Sequence, residues 1–318
     1  MKPSLEGVNL RESRTISFLV LAAACLSGWI SPPMALAMGL FFALVIGNPL
    51  PRLSQNTSKV LLQASVVGLG FGLNLGTLLA AGKTGIGFTV CSIAGTLLLG
   101  WWVGRMLKVE SQASTLVSCG TAICGGSAIA AVAGVIKADS RAISVALGTV
   151  FLLNAVALFI FPPIGHALHL TQNQFGVWSA IAIHDTSSVV GAAAKYGDEA
   201  LRVATTVKLV RALWIVPLSL GLAFFTGRKG AKIAWPWFIL FFVAAACVRT
   251  VLPQGEPVYG KLVVLARLGL TLTLFLIGAQ ISREALRTVG WRALVQGVIL
   301  WVVISIAGLL AVWQLVAG

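Results

Sequence analysis

The chain has 318 residues, of which 58% are hydrophobic and only 10% charged, with a mean hydropathy of +0.96. Soluble domains carry about 25% charged residues, so this chain has too little charge to cover a water-facing surface, which argues against a soluble enzyme, a nucleic-acid binder or a disordered scaffold. The net charge of +14 reads as basic loops that hold a membrane topology.

In chain order, eleven apolar segments stand at 16–31, 34–48, 58–81, 84–104, 113–137, 140–163, 174–195, 199–225, 236–252, 258–282 and 292–316. They predict an all-α polytopic membrane protein, with residues 1–318 forming a single transmembrane domain. The runs are too long and too uniformly apolar for a membrane β-barrel. Arg11 and Arg14 before the first run, with Ala35-Leu36-Ala37 after it, also fit a signal peptide. The next apolar helix begins across that cleavage pattern, so a first transmembrane helix explains the run better. The five cysteines (Cys25, Cys91, Cys119, Cys124, Cys247) lie inside apolar segments with no metal or redox spacing, and read as small packing residues. Basic residues fall mainly on the side of the N-terminus, which predicts a cytoplasmic N-terminus and, after eleven crossings, a periplasmic C-terminus.

Residues 124–133 (CGGSAIAAVA) and 184–193 (HDTSSVVGAA) suggest an internal repeat offset by about 60 residues, with Ser127 opposite Ser187 and Ala131 opposite Gly191. A chance match of small residues is the plainer alternative. If 113–137 and 174–195 are re-entrant rather than fully crossing, each unit crosses once and the copies are inverted. Lys137 and Arg141 then move inside and the basic bias sharpens. A fainter echo between 72–85 and 278–290 places Asn74 and Gln280 alike, as pore-lining candidates. Inverted repeats with broken helices are a common architecture of secondary transporters.

Eight of the nine acidic residues fall in loops or at helix ends, and Asp185 alone lies within an apolar run. A charge at bilayer depth costs at least about 2.5–3.5 kcal/mol, so Asp185 marks a functional site, or else an ion pair with Lys208 or Arg211 that only docks helices. His184 beside it suits proton handling, or is simply a satisfied hydrogen-bonding group. Lys208 and Arg211, three apart, share a helix face and leave a local positive excess that can receive an anion, unless they snorkel to the interface. Thr121, Cys124, Gly125, Gly126 and Ser127 break the fifth segment, and Thr186, Ser187 and Ser188 follow Asp185 in the seventh. Half-helix N-termini there would bind an oxyanion; close packing by small residues is the alternative. No nucleotide loop, metal motif or catalytic triad appears, so no enzyme, no metal and no cofactor beyond H⁺ or Na⁺ as coupling ion is expected.

The strings SCGTAICGGSAIAA, AIHDTSSVVGAAAKYGDEAL, ATTVKLVRALWIVP and GLGFGLNLGTL resemble the bacterial YeiH-type sulfate exporter family over nearly the whole chain. The resemblance implies an inner-membrane secondary transporter of ten or eleven helices, akin to ion-coupled antiporters. It implies that His184, Asp185, Thr186, Ser187, Ser188, Lys208 and Arg211, with Cys124, Gly125, Gly126 and Ser127, form the signature region. Gly134 stands where such sequences carry proline, which would soften that helix.

The expectation is therefore a transporter of a small anion, sulfate or an organic sulfonate. The anion is bound by Thr121, Cys124–Ser127, Thr186–Ser188, Lys208 and Arg211, with Asp185 and His184 carrying the coupling ion. A cation/proton antiporter with no anion substrate is the runner-up, and an intramembrane enzyme or sensor a distant third. The partners are the bilayer and the solute, a homodimer being compatible, with no nucleic acid.

Overall fold

The structure, a computed structural model, describes residues 5–73, 75–225, 237–281 and 290–316. Side chains are described for all of these except 5–11, 77–88, 223, 225 and 315. Fourteen α-helices follow one another among them: α1 (Leu5–Ala24), α2 (Pro32–Val45), α3 (Pro51–Gly70), α4 (Leu75–Met106), α5 (Ser111–Ala122), α6 (Gly126–Ile136), α7 (Ser140–Ala167), α8 (Gln172–Ala182), α9 (Thr186–Tyr196), α10 (Asp198–Leu213), α11 (Ile215–Phe225), α12 (Trp237–Val251), α13 (Glu256–Gly278) and α14 (Trp291–Leu315). Four spans are long and apolar enough to cross a membrane: 140–167, 198–222, 253–278 and 291–314. The shorter apolar helices are α2, α6 and α12. Among the described residues the fold is all-helical.

The expected segment 58–81 is instead two helices, because α3 stops at Gly70 and α4 starts at Leu75. Segment 199–225 turns at Trp214, where α10 gives way to α11. The segment expected to end at 163 runs on as helix to Ala167, with Pro162, Pro163 and His166 in the last turns of α7. Helix α6 runs through Gly134 to Ile136 without a break.

Segments 113–137 and 174–195 are each interrupted. α5 ends at Ala122 and α6 begins at Gly126, with Gly125 between them at φ +66°, ψ −122°, a backbone conformation that glycine alone adopts readily. α8 ends at Ala182 and α9 begins at Thr186, with Asp185 as its N-cap. Polar side chains tie the feet of each broken segment together. The Gln112 Oε1 atom accepts from the Asp139 backbone N–H (2.9 Å), and Gln172 Oε1 accepts from that of Glu199 (3.0 Å). Each segment therefore leaves one end of the molecule and returns to it as a helical hairpin.

The hairpins enter from opposite ends. α7, whose 28 residues span about 42 Å, runs from the foot of the first to the foot of the second. The tips meet: a Cβ built on Gly125 would lie 3.3 Å from the Asp185 Cα. We call the end holding Gln112 and Asp139 the first face, and the end holding Gln172 and Glu199 the second. α14 begins at the first face, where Trp291 and Arg292 share a cavity of about 400 Å³ with Lys108 and Arg141. It ends at the second, where Gln174 Nε2 donates to the Val316 carbonyl (3.2 Å).

Around the hairpins, α13 packs along α2 and α3. Gly39 and Gly278 face the partner backbones so closely that a Cβ on either would overlap Phe275 or Leu36 main-chain atoms, a small-residue crossing of the kind membrane helices use in place of a hydrophobic drive. The outer rim is apolar and exposed, as at Trp101, Phe241 and Ile306, whereas α5, α8 and α9 are buried along most of their length.

Candidate functional site

Four helix ends converge where the hairpin tips meet. α5 and α8 bring their C-termini, carrying partial negative charge, and α6 and α9 bring their N-termini, carrying partial positive charge. The unpaired carbonyls and N–H groups of these ends must be satisfied inside protein, because lipid offers nothing.

The cations of α10 satisfy the carbonyl ends. Lys208 Nζ donates to the carbonyls of Ile183 (2.7 Å) and Ala180 (3.3 Å) at the end of α8. One turn later, Arg211 donates through Nη2 to the Ala122 carbonyl (2.5 Å) at the end of α5, and through Nη1 to Ser92 Oγ on α4 (3.0 Å). Both side chains are 0% exposed, so neither snorkels. The docking ion pair with Asp185 that the sequence allowed is absent: the salt bridges among the described residues are Arg249–Glu256 and Arg267–Asp198.

The two N-terminal ends are treated differently. The Asp185 carboxylate caps α9, accepting from the backbone N–H (3.1 Å) and the hydroxyl of Ser187. Asp185 itself is half-buried. α6 starts at Gly125, which as a glycine offers no side-chain cap; the neighbouring Cys124 thiol accepts from the Ala128 N–H in its first turn. Helix dipoles at the tips offset one another, and the side chains at the crossing count formally as two cations, Lys208 and Arg211, against one carboxylate, Asp185.

Asn154, on α7, is a site residue that no motif pointed to. Its Oδ1 accepts from the backbone N–H groups of His184 (3.1 Å) and Asp185 (3.3 Å). Two donors on one atom fix the amide orientation and hold the α8–α9 break open. Asn154 Nδ2 has no protein partner, and neither do both ring nitrogens of His184, Thr121 Oγ1 and Arg211 Nε, all buried. Most of the unpartnered buried polar atoms among the described residues thus belong to four residues beside one crossing, and such groups call for a water, ion or ligand.

The other expected residues divide. Thr121, Cys124, Gly125, Thr186, Ser187 and Ser188 are buried beside the tips, and Gly126 is half-buried. Ser127, the expected counterpart of Ser187, is exposed, and Ser187 already serves Asp185. Gln280 donates to the Ser54 carbonyl, Ser58 Oγ and the Leu276 carbonyl, joining α13 to α3 and touching neither tip. Asn74 lies outside the described residues. Among the described residues no cluster of His, Cys, Asp or Glu could hold a metal.

Residues 15–297 match the sequence model of a family described as conserved hypothetical protein 698. A UPF0324 membrane protein of Bacteroides thetaiotaomicron is 57% identical over 285 residues, covering 89% of this chain and 86% of that one. One from Porphyromonas gingivalis is 59% identical (89% and 87% covered), and one from Geobacter sulfurreducens 50% identical (96% and 98%). The chain belongs to the UPF0324 membrane protein family. This is the YeiH-type family that the sequence resembles, and it makes the chain a membrane protein. No solved structure matches this UPF0324 chain.

Proposed function

We propose that this UPF0324 protein is a secondary active transporter of a small oxyanion, sulfate or an organic sulfonate, coupled to H⁺ or Na⁺. The observation that carries the reading is the hairpin-tip crossing. It has one helix N-terminus that begins at a glycine, two buried basic side chains against one carboxylate, and unpartnered donors on Asn154, Thr121 and Arg211. A donor-rich, cationic pocket at membrane depth favours an acceptor-only anion. In this reading Lys208 and Arg211 act through their charge and by holding carbonyls, and the α6 N-terminus and Asn154 touch the solute. Asp185, with His184, takes the coupling ion. We read no catalytic role.

Gln112 and Gln172 are 60 positions apart and each closes a hairpin onto a residue 27 positions later, which supports two inverted repeats of hairpin plus crossing helix. Arg105, Lys108, Arg141 and Arg292 gather at the first face, which favours that face as cytoplasmic, in the inner membrane, with the C-terminus periplasmic. The rival cation/proton antiporter draws on Asp185 being half-buried and free of any ion pair among the described residues.

The test is thermal stabilisation and proteoliposome flux with sulfate, sulfite and taurine, each at imposed H⁺ and Na⁺ gradients. Sulfur oxyanions should raise the melting temperature and drive counterflow. Stabilisation by Na⁺ or pH alone, with no anion flux, would overturn the anion reading in favour of the antiporter.

A further inference from the structure

A cavity of about 430 Å³ opens at the first face between α4, α5 and α11. Arg105, the one charged residue among those lining it, stands at the mouth beside Trp101, its guanidinium 5.8 Å from the indole ring. One wall is a strip of α5 at successive four-residue steps, Ser111, Thr115 and Cys119, bordered by Ser114 and Ser118. From Ser111 to Cys119 the cavity runs about 12 Å inward. The next turn of α5 ends at Ala122, whose carbonyl holds Arg211, and Ser92, the other partner of Arg211, lies just beyond the α4 residues of the wall. A cation thus stands at the mouth, another lies past the floor, a strip of hydroxyl side chains on α5 faces an apolar wall of Leu97, Leu218 and Leu222, and no acidic side chain is among the lining residues.

We propose that this cavity is the vestibule through which a small anion reaches the hairpin tips from the first face. The mouth concentrates anions and the buried guanidinium draws them toward the crossing, while Thr115 and Ser118 keep their protons on the Ser111 and Ser114 carbonyls. The inference rests on the anion reading above and adds the route and its guard, Arg105.

The test is labelling in lipid nanodiscs, where both faces meet solvent. In a protein carrying Cys91→Ser and Cys247→Ser, Thr115→Cys is reacted with anionic, cationic and apolar neutral thiol reagents, and native Cys119 is followed by mass spectrometry. Thr115→Cys is expected to react about tenfold faster with the anionic than with the cationic reagent, to lose most of that preference with Arg105→Gln, and to slow when sulfate is added. Ser111→Cys, nearer the mouth, replaces Thr115→Cys should the latter fail to fold. A preference for the cationic reagent, or reaction with the apolar one alone as in a lipid-filled cleft, overturns the proposal. Labelling needs no transport, so anion flux without anion-preferring labelling removes only the vestibule. Anion-preferring labelling without flux removes only the transport reading.

Discussion

Replacing Asn154 separates the part of the site that holds the fold from the part that holds charge. Asn154→Leu is close in volume and removes the acceptor of two backbone N–H groups, those of His184 and Asp185. A buried donor left without a partner costs about 1–3 kcal/mol, so the pair should cost about 2–6 kcal/mol. Asn154→Asp keeps an oxygen for both N–H groups and adds a second negative charge at the crossing, which cancels the surplus positive one. Thermal melting in detergent, read with and without sulfate, tests both. Asn154→Leu should lower the midpoint by on the order of 5–10 °C. Asn154→Asp should lose less than half of that yet show no sulfate-dependent rise. A leucine variant as stable as the parent would refute the double-acceptor argument. An aspartate variant still stabilised by sulfate would refute the charge argument.

Asp185→Asn retains a good N-cap, so stability should change by less than about 1 kcal/mol while ion-driven flux in proteoliposomes disappears; retained coupling would remove Asp185 from that role. Lys208→Met frees the Ala180 and Ile183 carbonyls and erases the surplus charge, so sulfate stabilisation should vanish even where folded protein is recovered. Gly278→Val drives a side chain into the Leu36 backbone, and size-exclusion profiles should show loss of folded protein of the kind overpacking by more than about 1–3 kcal/mol produces. Gln172→Leu leaves the Glu199 N–H without its acceptor, so hydrogen exchange at 197–200 should accelerate while the tips, probed by exchange at 183–187, stay protected.

The breaks were legible because glycine and N-capping residues interrupted otherwise apolar runs: Cys124-Gly125-Gly126 in one and His184-Asp185-Thr186 in the other. The hairpin form was legible only through charge, since moving Lys137 and Arg141 to the basic side improved the topology; in the structure the two ends of each broken segment lie together through Gln112 and Gln172. What Lys208 and Arg211 bind was not legible. Their partners are main-chain carbonyls, which every residue possesses, so no side-chain pattern marks them. Asn154 was overlooked for a related reason: one amide in a long apolar helix carries no spacing signal, and its importance arises from backbone 30 positions away. Ser127 shows the limit of repeat alignment, because two aligned hydroxyls share a place in a hairpin and still meet different neighbours. The turn at Trp214 was legible in Pro217, which has no N–H for the Leu213 carbonyl four residues back and breaks the helix there.

The lengths of the hairpin limbs bear on how the chain assembles. Each limb has 11 or 12 residues and reaches about 16–18 Å, roughly half the thickness of a hydrocarbon layer. Its open inner end, with bare carbonyls or N–H groups, would be intolerable against acyl chains. Neither hairpin can therefore lodge in the bilayer unaided. The long spanning helices have to be seated first, and a limb can become secure only when Lys208 or Arg211 arrives to close its exposed end, so the cations that tune the centre are also the last pieces of its construction.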